Sequence, residues 1–578
     1  GIVDQNLADY WADKMMATIE SDSANVVLTI ADMARSKPVL DSSFVAGFIR
    51  KLQAKGPALA LPLTWMEQQL SRLGENSNDL IREENQKQAT DQVSVSNSIN
   101  TLRFIGATDW REFVETLSIV EQILRLDPSG IYANMDFATR DRYRHVVESL
   151  SKRSHLSETE IAEKIVNLTE QNRRSNEHGQ EKRSHIGYYL IDKGLKQIED
   201  AIAANYTPKQ KLTNIIKLAP VSYYISSIIV LAAAITFGLC YVAFTHGIYG
   251  KLQTFAISLL FIACATHLSV SLVNWLSTLW VKPVLLPRMD FSKGIPSECR
   301  TLVAIPTMLL SRRYIEELVE ALEIRFLANR ETNVHFCLLT DFADAYTETL
   351  PEDNDLLIFV SKAIDGLNEK YGQSETDIFF LFHRPRKWNN KEKRWMGYER
   401  KRGKLAALNA VLRGRHPDEF SVIIGKHAGL RNVKFVLTLD SDTRVPREAI
   451  WKLVATMAHP LNHAIYSTQK KRVVEGYGIL QPRIAAGMPV TGASLYLRVQ
   501  GDVAGIDPYT KASSDVYQDL FGEGSFIGKG IYDVDIFERA VNNVFQENRI
   551  LSHDLLEGCY ARAGLVSDVL LYEDNPTE

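Results

Sequence analysis

The chain has 578 residues, 45% of them hydrophobic and 24% charged, so it reads as folded rather than disordered. A formal net charge of −4 gives no ground for a nucleic-acid partner, and any anionic ligand must be held by a local basic cluster. Cys240, Cys264, Cys299, Cys337 and Cys559 are scattered and form no Cys-x-x-Cys pair, which argues against a disulfide framework or a zinc site and fits a reducing compartment.

The N-terminal Gly1-Ile-Val-Asp-Gln shows no initiator Met and no signal-peptide pattern, so the chain is expected to begin inside a longer protein. Residues 1–210 carry apolar positions at three- and four-residue spacing, as in Trp110-Arg-Glu-Phe113-Val114. This spacing predicts a helical scaffold or regulatory region. Ser157-Glu-Thr-Glu160 resembles a capping box, and residues 171–183 are polar enough for a loop.

Two apolar runs follow, about 218–244 and 255–280, and neither contains Asp, Glu, Lys or Arg. Each exceeds the ~20 residues that cross a bilayer as a helix. Tyr223, Tyr224, Tyr241, Trp275 and Trp280 sit toward the ends, as interfacial aromatics do. Lys209, Lys211 and Lys217 precede the pair and Lys282 and Arg288 follow it, whereas the connection holds only Lys251. A membrane hairpin with both outer flanks in the cytoplasm is therefore expected.

From about residue 298 strands and helices alternate. Strands are predicted at 301–305, 333–339, 378–383 and 435–439, with helices at 313–328, 357–371 and 403–412. The pattern suits a mostly parallel, doubly wound α/β sheet over 298–578. The 435–439 run leads straight into Asp440-Ser-Asp442, and the 333–339 run ends at Asp341. Ligands collect at the C-terminal tips of parallel strands, and paired carboxylates there suit a divalent cation on the phosphates of a nucleotide. Each Asp alone reads equally as a turn residue. Lys404, Asn409 and the basic runs Arg384-Pro-Arg386-Lys387 and Arg400-Lys-Arg402 supply cations for phosphates, or a solvated loop. Gly522-Glu-Gly524-Ser-Phe-Ile-Gly528-Lys-Gly530 allows close backbone approach without matching a P-loop or dinucleotide spacing. Finally, residues 550–564 read as a helix closed by Gly564, and Asp554 in its first turn is either a dipole partner or a base for an attacking hydroxyl.

Asp341, Asp440-Ser-Asp442 and His553-Asp554, in this order beside a membrane hairpin, resemble processive family 2-type glycosyltransferases with a GT-A fold. The segments 135–144, 438–446, 515–526 and 551–558 sharpen this to a resemblance to the cyclic β-1,2-glucan synthases of the bacterial inner membrane. The resemblance implies inverting transfer from UDP-glucose to a growing β-1,2-glucan. It implies Asp341 on the uridine, Asp440 against the ribose or diphosphate, Asp442 on Mg2+ or Mn2+, and Asp554 as the base. Lys404 would touch the nucleotide, and Tyr509 and Tyr517 are candidates for a tyrosine that primes the glucan. The family's Gln/Arg-x-x-Arg-Trp motif does not follow Asp554. An incomplete acceptor channel, completed by downstream domains of the same polypeptide, is expected. A synthase of another β-glycan, of cellulose or hyaluronan type, and a non-catalytic membrane scaffold are the alternatives.

Overall fold

The computed structural model describes residues 2–573 except 54–58, 176–180, 208–210, 212–215, 217, 248–249, 282–284, 373–376, 487–515, 543, 547 and 551. The chain divides into two compact units, Gly1–Glu115 and Thr116–Glu578. In the first, the helices Ile2–Ser21, Val26–Ser36, Ser42–Gln53, Ala60–Leu73 and Ser77–Ala107 close on Trp11, Met15, Met33, Phe44, Phe48 and Met66. Ser42 and Ser43 both donate to Glu84, which fixes the base of the long last helix.

The sequence reading set one boundary near residue 210, whereas the units part at 115/116. The physical reason is a shared core. Tyr132, Tyr143, Val147, Ile161 and Ile186, from the helices and turns after residue 116, pack with Leu461, and Met289 lies against the same cluster. Lys182 donates to the Leu461 carbonyl at 3.1 Å and pairs with Glu475 at 3.6 Å, which ties these helices to the sheet domain.

Pro220–Thr245 and Lys251–Trp280 are helices long and apolar enough to cross a membrane. They pack on each other, and the Tyr224 hydroxyl donates to Asn274 at 2.7 Å.

Twelve strands are described: β1 Thr301–Leu309, β2 Val334–Phe342, β3 Phe379–Arg384, β4 Lys387–Asn389, β5 Arg394–Met396, β6 Val422–Ile424, β7 Phe435–Thr438, β8 Ile465–Ser467, β9 Arg472–Glu475, β10 Ile479–Ala486, β11 Gly530–Asp533 and β12 Ala563–Glu573. Eight form one sheet in the order β12-β10-β11-β7-β1-β2-β3-β6. Its centre is parallel, β7-β1-β2-β3, as the apolar runs predict. The sheet is mostly parallel, as expected, with β10 and β12 also parallel to each other, and only β11 and β6 run against their neighbours. The helices Arg312–Ala328 and Asp353–Tyr371 cover one face through Leu322, Phe326, Val360 and Ile364. The helices Arg400–Leu412 and Val534–Val541 cover the other through Leu405, Leu408, Leu412 and Phe537. With helices on both faces, the polar groups at the strand tips are the ones left to meet a ligand.

Candidate active site

The parallel strands run outward from β1 in two directions, to β2 and β3 on one side and to β7 on the other. Where strand order reverses, the loops after two neighbouring strands leave in opposite senses and open a crevice. A cavity of about 280 Å³ lies there, lined by Pro306 and Thr307 on β1, Tyr314 after it, Asp341 on β2, Ser441 after β7, and Arg400, Lys401 and Lys404.

Asp341 is only 2% exposed and is held on several sides. Arg384 donates to both its carboxylate oxygens at 3.0 and 3.1 Å, and Lys404 lies 3.1 Å away. Lys404 also donates to the Thr307 carbonyl at 2.6 Å, so one ammonium links the ends of β1 and β2. Burial pushes its pKa down against the pull of Asp341. A Cβ on Gly397 would stand 2.1 Å from the Asp341 carboxylate, so that position admits only glycine without rearrangement. The basic runs thus divide by role. Arg384 and Arg386 are buried and clamp Asp341 and Asp353, whereas Arg400 and Lys401 face the cavity.

The turn after β7 presents Asp440 and Asp442. Arg325, buried on the Arg312–Ala328 helix, donates to the carbonyls of Ser441 at 2.6 Å and Thr443 at 3.0 Å, bracing this turn from beneath. Burial lowers the Arg325 pKa to about 10 even with Asp442 nearby. The far end of β12 folds onto the same turn, with Arg444 N donating to the Tyr572 carbonyl at 2.7 Å and Tyr572 N donating back at 3.1 Å. That bridge delivers Glu573. Oxygens of Asp440, Asp442 and Glu573 lie within 4.8 Å of one another, a set of three hard donors that suits Mg2+ or Mn2+. Lys401 at 2.6 Å and Lys529 at 3.1 Å flank Asp440. Burial alone would raise the Asp440 pKa, but these two cations outweigh it and hold the carboxylate below its ordinary value.

Asp554 opens the helix Asp554–Ala561, which is shorter than the 550–564 segment expected. The helix stops at Arg562, at φ 59°, and Gly564 already belongs to β12. Asp554 lines a second cavity of about 700 Å³ with Lys401, Gly528, His553 and Glu557. Its pKa is raised, chiefly by burial and further by the charge of Asp440, while Lys401 pulls the other way. A raised carboxylate beside an acidic turn is a stronger base than a solvated one. The glycine-rich segment earns its composition here. Gly528 has φ +88°, and a Cβ on it would stand 2.8–3.0 Å from the Asp554 carboxylate. Gly528→Ala is therefore expected to push Asp554 out of place and cost roughly 10- to 100-fold in turnover. Initial rates of the full-length variant beside its nucleotide affinity check this, since affinity should be unchanged.

Lys401 and Arg400 line both cavities, so the seam between the crevice of Asp341 and the chamber of Asp554 is basic. Glu399 and Arg400 at this seam adopt φ of 52° and 46°, a left-handed conformation that non-glycine residues rarely take and that clusters at functional sites. Of the two candidate tyrosines, Tyr509 lies outside the described residues. Tyr517, half-buried, packs with Phe521 against Tyr224 of the first apolar helix. Its neighbour Gln518 donates to the Leu565 carbonyl at 2.9 Å, so this short helix joins β12 to the apolar hairpin. The resulting fit is packing between elements.

No family model matches the chain. It is 36% identical over 539 residues to the cyclic beta-(1,2)-glucan synthase NdvB of Rhizobium meliloti (strain 1021), an alignment covering 93% of the chain. The resemblance to the cyclic β-1,2-glucan synthases holds. Coverage this long takes in the helical region, the apolar hairpin and the sheet domain, since none of them fits in the unaligned remainder. The chain spans 19% of the length of that synthase, so the relative contains much more than the units described here.

Proposed function

We propose that the sheet domain is a GT-A glycosyltransferase that transfers glucose from UDP-glucose, with inversion, onto a growing β-1,2-glucan. The observation that carries this reading is the arrangement of Asp554 in a large chamber, across a basic seam from Asp341 and the Asp440-Asp442-Glu573 cluster. The uridine occupies the crevice beside Asp341 and Lys404, and the diphosphate lies toward Arg400, Lys401 and Lys529. Asp440, Asp442 and Glu573 would hold Mg2+ or Mn2+, which when bound would supply charge neutralisation for the departing UDP.

The acceptor's terminal sugar enters the chamber lined by Asp554. Its 2-hydroxyl oxygen attacks C1 of the donor glucose, the C1–O bond to the β-phosphate breaks, and UDP leaves with the electron pair. Asp554 takes the hydroxyl proton. The buried position of this carboxylate keeps it basic, and the glycine at 528 leaves it room. Attack opposite the leaving group converts an α-linked donor into a β linkage.

The two apolar helices cross the bacterial inner membrane as a hairpin and keep the transferase domain in the cytoplasm with its donor. Further domains of the longer polypeptide complete the acceptor channel, and a tyrosine-primed start is a separate step of the same scheme. The full-length protein supplied with labelled UDP-glucose, UDP-N-acetylglucosamine or UDP-glucuronate distinguishes the substrate classes. Incorporation of glucose alone is expected; incorporation of the amino sugar or uronate would favour a hyaluronan-type synthase.

A further inference from the structure

Each glucose added by inverting transfer leaves one proton on the base. A processive enzyme must clear that proton before the next sugar arrives, while the growing chain fills the chamber that admitted it. A route for the proton that does not pass along the acceptor is therefore needed.

Glu557 stands one helical turn after Asp554, and side chains three residues apart on a helix are neighbours. Glu557 is only 5% exposed, yet its carboxylate has no hydrogen bond or ion pair among the described residues. It lines the chamber of Asp554 and also an adjoining cavity of about 370 Å³ along the Arg400–Leu412 helix. That second cavity is lined as well by Arg415 and His416, both exposed, so it reaches the protein surface. Glu399 and Arg402 also face both cavities, but they are spent on each other at 2.7 Å, and Glu399 further accepts from Asn548 N at 2.6 Å. Glu557 is the carboxylate left at the junction with no such partner.

We propose that Glu557 relays the proton taken up by Asp554 into the second cavity and so to solvent, resetting the base between sugars. The proposal rests on Asp554 being the base. The step balances without any other reactant. The Asp554 O–H bond breaks and a proton passes, directly or through water, to a Glu557 oxygen; Asp554 returns to carboxylate, and Glu557 then releases the proton to water in the second cavity. Glu557 acts through Asp554 and does not touch the sugar.

The surroundings suit this duty. Burial first, and then the charge of Asp554, push Glu557 up to about 7, against Arg402 and Lys401 of the neighbouring helix. Tyr532 on β11 donates its hydroxyl to Asn409, and Glu538 is paired with Arg415, so neither competes for this proton. Near neutral pH the group is neither permanently charged nor permanently protonated, the condition for accepting and releasing a proton in each cycle.

The test compares Glu557→Gln with Asp554→Asn in the full-length protein. Glu557→Gln is expected to lower kcat about tenfold, within the range by which proton-transfer groups act, with the KM for UDP-glucose unchanged. Its kcat should rise with added imidazole buffer, which carries the proton in place of the missing carboxyl, and the limb of the kcat–pH profile near 7 should shift. Wild-type turnover should not depend on buffer. Should Glu557→Gln fail to accumulate, Glu557→Asp carries the same test through its buffer dependence. An unchanged kcat and pH profile, or a loss that buffer does not restore, overturns the relay. The outcomes separate cleanly: an inactive Asp554→Asn with an indifferent Glu557→Gln removes the relay alone, whereas an active Asp554→Asn removes the transferase reading beneath it.

Discussion

Asp554→Asn in the full-length protein is expected to reduce glucan formation by about 10²- to 10⁴-fold, the range over which a positioned general base acts. The amide keeps the size and the hydrogen-bonding edge of the carboxylate but cannot take the hydroxyl proton. Donor affinity should hold, because Asp554 lines the chamber and not the crevice of Asp341. A purely structural role makes a different forecast. A carboxylate in a first helical turn is worth about 0.3–1 kcal/mol through the helix dipole, so losing it would shift thermal stability slightly and leave turnover alone. Initial rates with labelled UDP-glucose, taken beside a melting curve, tell the two apart. A variant with native rates would show that Asp554 is only a dipole partner in its first helical turn, and with that the scaffold alternative would gain its main support.

The second large effect belongs to the acidic turn. Asp442→Asn is expected to raise the Mn2+ or Mg2+ concentration for half-maximal activity by at least about 10- to 100-fold, the loss that even outer-shell partners of a metal cause. At fixed metal the rate should fall by about 10³-fold or more, since charge stabilisation of a leaving diphosphate is worth several kcal/mol. Glu573→Gln should move metal dependence in the same direction, because Glu573 shares the cluster through the Arg444–Tyr572 bridge. Metal titrations of turnover for both variants check this. An unaltered metal requirement in Asp442→Asn would remove the proposed ion from the turn and leave Arg400, Lys401 and Lys529 as the proposed counterweights to the diphosphate.

How much of this was legible in the sequence depends on the range of the interactions. The central strands were legible because β1, β2, β3 and β7 are buried on both faces and read as unbroken apolar runs. The carboxylates at the ends of β2 and β7 followed from the same signal. Glu573 stands at the end of a comparable run, 563–573, but Ser567 and Asp568 interrupt it and a reading of 550–564 as one helix hid the start of β12. The reversed strand β11 was hidden for another reason. β11 is four residues long and follows a glycine-rich segment, so nothing local marks it as a strand pairing against β7.

Electrostatic partners were the least visible. Arg384 and Arg386 look like phosphate ligands in a basic run, yet the fold spends them on Asp341 and Asp353, which are 43 and 33 residues away in the chain. Removing one partner of such a buried pair strands a charge at a cost of about 3–5 kcal/mol, so loss of activity on mutating Asp341 would not by itself assign it to the uridine. Arg325 reaches Ser441 across 116 residues and Lys529 reaches Asp440 from the glycine-rich loop, and no spacing rule links either pair. The distinction between Arg384, which clamps Asp341, and Lys401, which faces the cavities, is written only in three dimensions.

The measurement closest to the central claim is linkage analysis of the product made by the full-length protein from labelled UDP-glucose and Mn2+, with Asp554→Asn as control. A labelled glucan made of β-1,2-linked glucose, absent from the control, is the expected result. A β-1,4-linked product, or β-1,2-glucan made equally well by Asp554→Asn, would contradict it.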